Sequence, residues 1–166
     1  MIDIRNINSI FASAVLVMLC DTKIRHEEID SLKSKGKINL LISSFDEANK
    51  RINESDIISI FEEKFETGGK HQNLMDKSMA SKIIKKTTYD FSKIESQGDL
   101  HKLVNHYAMA VKENYWEFAT LICLFMAVID RELAREEVDL LYTFAKAWNT
   151  EELLNSILHQ MGLLDI

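Results

Sequence analysis

The sequence contains no proline and only five glycines among its 166 residues. Proline removes a backbone donor and glycine costs backbone entropy, so helices tolerate this composition best. The chain also has only two cysteines, Cys20 and Cys123, and both lie inside apolar runs. That placement is typical of small core residues in a reducing compartment rather than of a disulfide framework. We therefore expect a helical, cytoplasmic protein.

The sequence also lacks an excess of positive charge, and it lacks an apolar run long enough to span a membrane. The formal net charge is −6, which argues against a general nucleic-acid binder, because phosphate contacts need a positive surface. The apolar runs at 10–20 and 121–129 are shorter than the roughly 20 residues that a bilayer span requires. A secretory signal is not expected either, since Asp3 offsets Arg5 and Asp21 ends the first run. Both runs are better interpreted as central buried helices.

The length of 166 residues suits one domain, 1–166. Hydrophobic residues make up 46% of the chain and charged residues 28%, so we expect an ordered protein with a real core. Apolar residues recur at helical spacing along nearly the whole sequence. The predicted fold is all-α, a compact bundle of about seven or eight helices joined by short loops.

The helix boundaries follow from periodicity and from capping residues. Asn53 or Ser55 is expected to cap a helix, Asn149 with Glu152 is expected to cap the last helix, and Gly162 is expected to end it. The last helix is expected to bury its apolar residues, including Met161. The predicted helices span about 8–20, about 26–45 with a break at Gly36, about 57–65, about 72–93, about 99–112, about 116–129, about 136–148, and 150 onward.

The segment 72–93 is locally basic. Its charges can form a solvated helix face, or they can form a docking face for an acidic partner. The lysines of and beside this segment are Lys70, Lys77, Lys82, Lys85, Lys86 and Lys93, against Asp76 and Asp90.

An internal repeat is the most informative feature of the sequence. Residues 19–32 align without gaps on residues 128–141, and an apolar helix precedes each copy. In both copies an aspartate ends the apolar helix, an aliphatic residue follows in the loop, and a second helix starts with acidic residues that suit its macrodipole. The repeat units span about 8–45 and about 116–148. The aligned pairs are Asp21 with Asp130, Ile24 with Leu133, Glu27 with Glu136, Glu28 with Glu137, and Asp30 with Asp139.

This duplicated junction resembles the TerB (tellurite-resistance) family. Each half of that family carries alanine-aspartate-glycine, any residue, an aliphatic residue and then a glutamate at a helix–helix junction. The resemblance implies a pseudo-symmetric all-α domain with a role in stress or tellurite resistance, and an acidic cluster proposed to bind divalent metal. This chain departs from the pattern where Thr22 and Arg131 replace the family glycine, and where Arg25 and Ala134 replace the capping residue.

The acidic side chains of the repeat form the predicted metal site. Each unit offers an acidic pair that shares a helix face through i,i+3 spacing, and an aspartate at the junction. If the units pack about a pseudo-two-fold axis, these groups form an oxygen-rich patch suited to Ca²⁺ or Mg²⁺. The alternative interpretation is that they only cap their helices. The six residues are Asp21, Glu27, Asp30, Asp130, Glu136 and Asp139.

No motif for catalysis is present: there is no nucleophile elbow, no phosphate-binding glycine loop, and no cysteine or histidine set at transition-metal spacing. We therefore expect a non-enzymatic protein that acts through a protein partner or a divalent cation. One alternative is an adaptor that needs no ion and docks through the lysine-rich segment or an apolar groove. A further alternative is an enzyme that uses carboxylates. The sequence leaves the partner and the oligomeric state open.

Overall fold

The computed structural model of the chain describes residues 4–20, 35–54, 76–128 and 135–162. These residues form seven α-helices and one 3-10 turn, and none of them forms a β-strand. The all-α prediction is therefore confirmed. In chain order the helices are α1 Ile4–Cys20, α2 Lys35–Glu54, α3 Lys77–Ser92, α4 Gln97–Met109, α5 Trp116–Val128, α6 Arg135–Ala147 and α7 Glu151–Gln160, with the 3-10 turn at Glu113–Tyr115 before α5.

Helices α1 and α5 form the centre of the bundle. Helix α1 contacts α3, α4, α5 and α6, and helix α5 contacts α1, α2, α6 and α7. Every residue of α5 from 118 to 127 is buried, as a helix that is apolar on all sides requires. Over the residues that the structure describes, the prediction that both apolar runs are buried helices is confirmed. Within the described ranges, no helix is long and apolar enough to cross a membrane.

Helices α3 and α4 have side-chain N-caps. Asp76 accepts a hydrogen bond from the backbone N–H of Met79 at 3.4 Å, and Ser96 accepts one from Asp99 at 3.1 Å. The Asp99 carboxylate accepts in turn from the backbone N–H of Glu95 at 3.2 Å. These contacts satisfy backbone donors that the first turn of a helix leaves without an intrahelical partner. Helix α4 therefore starts at Gln97 rather than at about 99. Helix α3 starts at Lys77, and the predicted helical residues 72–75 lie outside the described ranges.

The junction between α6 and α7 differs from the prediction. Asn149 has a positive φ of 56°, the left-handed conformation that commonly ends a helix, so it cannot cap α7 from an extended conformation. Thr150 occupies the N-cap position without a side-chain cap, because its buried hydroxyl lies 2.6 Å from that of Thr120. The predicted Asn149–Glu152 capping pair is therefore wrong.

Three smaller expectations also change. Asn53 lies inside α2, which continues to Glu54, rather than at the start of a helix. Gly36 is also part of α2. Met161 is 39% exposed because it lies one position beyond the end of α7 and is not part of the buried stripe of that helix. Gly162 adopts a φ of 69° after α7, so the predicted end of that helix is confirmed. The predicted helix at 57–65, with the alternative cap Ser55, lies outside the described residues.

Candidate functional site

The predicted metal ligands fall into two groups. Glu136 and Asp139 lie on α6 and both are exposed. The other four predicted ligands, Asp21, Glu27, Asp30 and Asp130, lie outside the described residues. Within the described ranges, no group of three or more histidine, cysteine, aspartate or glutamate residues is arranged to hold a metal ion. A complete site would therefore require acidic residues from outside these ranges, and the metal set stays a prediction.

The neighbouring glutamate, Glu137, occupies a different environment. It is the third residue of α6 and its exposed fraction is 0%. It begins the buried stripe of this helix, which continues at Leu140, Leu141 and Phe144. A carboxylate in such a position must be compensated by hydrogen bonds or by opposite charge, because burial penalises its ionised form. The residue that α6 directs into the protein is thus Glu137, and the predicted pair lies on the exposed face.

Spacing of i,i+3 shows that Glu136 and Asp139 share a helix face but not which face it is. The phase of the apolar stripe carried the missing information. Counting back from Leu141 and Leu140 by four and three residues reaches Glu137 in both cases, so this carboxylate was predictable as inward-facing. Its counterpart in the first repeat unit, Glu28, lies outside the described residues.

A cluster of polar side chains joins α3 to α4. The phenol of Tyr107 donates a hydrogen bond of 2.7 Å to Oδ2 of Asp90. The same oxygen lies 3.0 Å from Nζ of Lys86, and that ammonium group stands 5.8 Å from the centroid of the Tyr107 ring. One carboxylate thus holds a phenol and an ammonium group together where the two helices meet.

This cluster borders a crevice between α1, α3 and α4 with a volume of about 180 Å³. The walls combine small apolar groups with polar side chains, and none of the described residues that line the crevice is acidic. The lining residues are Asn8, Ser9, Ala12, Ile83, Lys86, Thr87, His106, Tyr107 and Ala110. Such a crevice suits a small apolar or weakly polar group that approaches beside a positive charge.

The environment of Tyr107 raises its pKa above the ordinary tyrosine value. The largest cause is burial, and the hydrogen bond and negative charge of Asp90 act in the same direction, while the Thr87 hydroxyl opposes them. The phenol therefore serves as a hydrogen-bond donor and is a poor proton donor for catalysis near neutral pH.

This raised pKa predicts a loss of stability in alkali. The unfolded chain releases the tyrosine proton near the ordinary tyrosine pKa of 10.0 while the folded protein retains it, so the unfolded state is favoured as the pH rises above that value. The free energy of unfolding should then fall by up to about 1.4 kcal/mol per pH unit from this group. Urea denaturation across this alkaline range measures the slope.

The matched variants are Tyr107→Phe and Tyr89→Phe, since Tyr89 is 61% exposed. We expect the first variant to flatten the alkaline slope and the second to leave it unchanged. An unchanged slope in the Tyr107→Phe protein would contradict the assignment.

A second, wider depression lies between α4, α6 and α7, with a volume of about 540 Å³. Burial and the nearby Glu151 carboxylate raise the pKa of Tyr142 there, and its hydroxyl donates a hydrogen bond to Asn155. Among the described residues that line this depression, no side chains form a nucleophile–base pair. Its lining residues are His101, Asn105, Tyr142, Thr143, Lys146, Ala147 and Glu151.

Cys123 is a free, buried thiol in the middle of α5. Burial raises its pKa far above the ordinary thiol value, so the reactive thiolate does not form near neutral pH. This agrees with its predicted role as a core residue.

Comparisons of the chain with models of protein families, with curated proteins and with solved structures find no match.

Proposed function

We propose that this chain is a diverged TerB-like domain that acts without catalysis, by binding a divalent cation or a protein partner, in stress or tellurite resistance. The observation that carries the proposal is the complete burial of the Glu137 side chain. In the aligned repeat Glu137 pairs with Glu28, and its side chain is fully buried on the core stripe of α6. A plain surface helix start would leave such a carboxylate in solvent.

The packing of the repeat units supports the same proposal. Helix α1 belongs to the first unit and helix α5 to the second, and these two apolar helices contact each other in the centre of the bundle. Helix α6, which carries Glu137, also packs against both of them. This arrangement is what two similar units sharing one core would produce.

In the cation-binding form of this proposal, the inward-facing Glu137 is a stronger candidate ligand than Glu136 or Asp139. Carboxylates are suitable ligands for Ca²⁺ and Mg²⁺, and a buried carboxylate benefits most from a bound cation because it lacks solvation by water. The junction aspartates Asp21 and Asp130 would complete the oxygen set.

A thermal melt of chelator-treated protein, titrated separately with Ca²⁺, Mg²⁺, Mn²⁺ and Zn²⁺, tests this proposal. A cation at about 100 times its dissociation constant adds about 2.7 kcal/mol of stability, which corresponds to a rise of about 5–10 °C in Tm for a domain of this size. We expect the rise with one cation only, and we expect Glu137→Gln and the Asp21→Asn/Asp130→Asn double variant to abolish it.

The control is Glu136→Gln/Asp139→Asn, which alters the exposed pair on the same helix. If Glu137 is the ligand, this control keeps the cation response. A flat response of the unaltered protein to all four cations would eliminate the metal branch, leaving these carboxylates as helix caps and the protein partner as the functional ligand.

A second candidate is the ion-independent adaptor, which the exposed lysines of α3 favour specifically. The side chains of Lys77, Lys82, Lys85 and Lys86 are all exposed, although the whole chain carries a net charge of −6. A concentration of positive charge on one helix of an acidic protein is suited to steering an acidic partner. No specific observation favours a carboxylate-based enzyme, and we do not propose one.

A further inference from the structure

We propose that the exposed face of α3 and the crevice beside it bind an acidic polypeptide segment. Carboxylates of the segment pair with Lys82, Lys85 and Lys93, and one apolar side chain enters the crevice between α1, α3 and α4. This inference rests on the protein-partner form of the proposed function and does not depend on a cation. The lysine face consists of Lys82, Lys85, Lys86, Tyr89 and Lys93.

Helical spacing places these five side chains on one face. Apart from the consecutive pair Lys85 and Lys86, they follow each other at intervals of three and four residues, which keeps them adjacent along the surface of a helix. The buried residues of α3 are Ala80, Ile84, Thr87 and Thr88, and they lie on the opposite side, against α1 and α2. The lysine face is therefore directed away from the core.

The positive charge of this face is largely uncompensated. Asp90 forms an ion pair with Lys86 at 3.0 Å and accepts the hydrogen bond of Tyr107, so it is already engaged at the edge of the face. Among the described residues, Lys82, Lys85 and Lys93 take part in no ion pair. Three ammonium groups thus remain available in a chain whose net charge is −6.

Tyr89 provides an aromatic surface among these charges. It is 61% exposed, and Nζ of Lys93 lies 5.0 Å from its ring centroid. The cation–π contact holds the lysine across the ring. Exposed tyrosines of this kind are enriched at protein interfaces, where they offer both an apolar ring and a hydroxyl group.

The crevice continues from the lysine face through Lys86, which belongs to both. Ile83 and Thr87 form the wall of the crevice on α3, and Ala12 and Ala110 form apolar parts of its other walls. Its volume of about 180 Å³ gives room for one aromatic or aliphatic side chain, since a cavity of about 150 Å³ accommodates benzene. If one side chain of the bound segment occupies the crevice, the residues that flank it in the segment lie next to the lysine face.

An acidic polypeptide fits these features better than a nucleic acid. The lysine face offers few phosphate contacts, whereas nucleic-acid binding draws most of its affinity from many of them, and a phosphate backbone has no apolar side chain to place in the crevice. An amphipathic helix with acidic residues at i,i+3 and i,i+4 repeats the spacing of about 5–6 Å between the lysines. It also supplies an apolar anchor, as helices that bind in grooves do.

The test uses the full chain and two synthetic peptides labelled with a fluorophore, each about four helical turns long. The first carries glutamates at i,i+4 spacing and a central phenylalanine, and the second replaces each glutamate with glutamine. We expect fluorescence anisotropy to show saturable binding of the first peptide and at least tenfold weaker binding of the second. Binding of the first should weaken as salt rises from about 0.1 M to about 1 M, where screening is strong.

Two protein variants of equal net charge separate a local site from a general charge effect. Lys82→Glu/Lys85→Glu/Lys93→Glu reverses the lysine face, and the control Lys50→Glu/Lys102→Glu/Lys146→Glu reverses three exposed lysines on other helices. We expect the first variant to lose tenfold or more in affinity and the control to retain most of it. Circular dichroism checks that both remain folded, and equal losses in the two variants would overturn the proposal.

The anchor is tested through the peptide rather than through the protein. Replacing the central phenylalanine with alanine is expected to weaken binding about tenfold or more, as the loss of one buried aromatic side chain predicts. An unchanged affinity would eliminate the crevice from the binding site.

Three further results would assign the face to another occupant and overturn the proposal. They are tighter binding of a single-stranded oligonucleotide, tighter binding to vesicles of anionic lipid, and self-association in sedimentation that the lysine-face variant abolishes. Failure of peptide binding together with a cation-dependent rise in Tm would reject this inference while leaving the proposed function intact.

Discussion

Replacing Trp148 with alanine is expected to lower the free energy of unfolding by about 3–5 kcal/mol. The side chain is 1% exposed and packs against Phe144 with ring centroids 5.0 Å apart. Its indole N–H donates a hydrogen bond of 3.0 Å to the carbonyl of Ala108, which ties the end of α6 to α4. Removing the ring leaves a cavity that the surrounding helices can fill only in part.

The hydrogen bond contributes less than the packing. The Ala108 carbonyl also accepts from the backbone N–H of Val111 at 3.1 Å, so the loss of the indole donor does not leave it without a partner. Trp148→Phe keeps much of the ring and is expected to cost less than Trp148→Ala, with about 1 kcal/mol from the hydrogen bond. Urea denaturation followed by circular dichroism measures both values.

Trp116 provides the matched control, because it is only partly buried while its indole makes a similar bond to the Val111 carbonyl at 2.9 Å. Trp116→Ala should therefore cost less than Trp148→Ala. A loss below about 1 kcal/mol for Trp148→Ala would contradict the buried position of this side chain, since such substitutions leave large cavities.

The second large effect is expected from Phe11→Ala, again about 3–5 kcal/mol. Phe11 of α1 and Phe45 of α2 both have an exposed fraction of 0%. Their ring centroids lie 5.1 Å apart at an interplanar angle of 72°, the edge-to-face geometry that aromatic pairs favour. The two rings form a direct side-chain contact between α1 and α2, so the loss of this pair should weaken the packing of α2 in particular.

A double-mutant cycle with Phe11→Leu and Phe45→Leu isolates the ring contact while preserving apolar volume. We expect a coupling energy of about 0.5–1.5 kcal/mol. Leucine is used because two alanine substitutions would approach the entire stability of an ordinary domain. Additive losses in the cycle would show that the two rings contribute by burial alone.

The central helices were predictable because their sequences leave few alternatives. Helix α5 offers ten successive buried residues, and a helix of that composition can only lie inside a protein. The stripe of α6, from Leu141 and Phe144 to Trp148, was predictable for the related reason that apolar residues recurred at helical spacing. The starts and ends of helices were less predictable, since they depend on which backbone groups find partners.

The turn at Asn149 shows why local signals failed there. Asparagine followed three residues later by Glu152 matches a capping pattern, but asparagine also tolerates the left-handed conformation that ends α6. The second option is the one adopted, with Thr150 directed to Thr120 rather than to its own helix. Only the position of α5, which carries Thr120, distinguishes the two.

The candidate sites divide in the same way. The inward position of Glu137 was implicit in the phase of the α6 stripe, and the lysine face of α3 was visible as a basic segment. The crevice was not predictable, because its walls come from α1, α3 and α4. Nothing in the sequence pairs Tyr107 with Asp90, which is 17 residues away on another helix.

The sequence by itself determined that this protein is helical, which helices are central, and which side of each helix is apolar. Those properties follow from composition and from a period of 3.6 residues, both of which are local. The tertiary structure decided which apolar faces meet, and therefore that the Trp148 indole reaches Ala108 and that the Asn6 side chain accepts from the backbone N–H of Lys112. Periodicity marks the face that a helix must bury, but the helix that covers this face is selected by side-chain packing across the whole bundle.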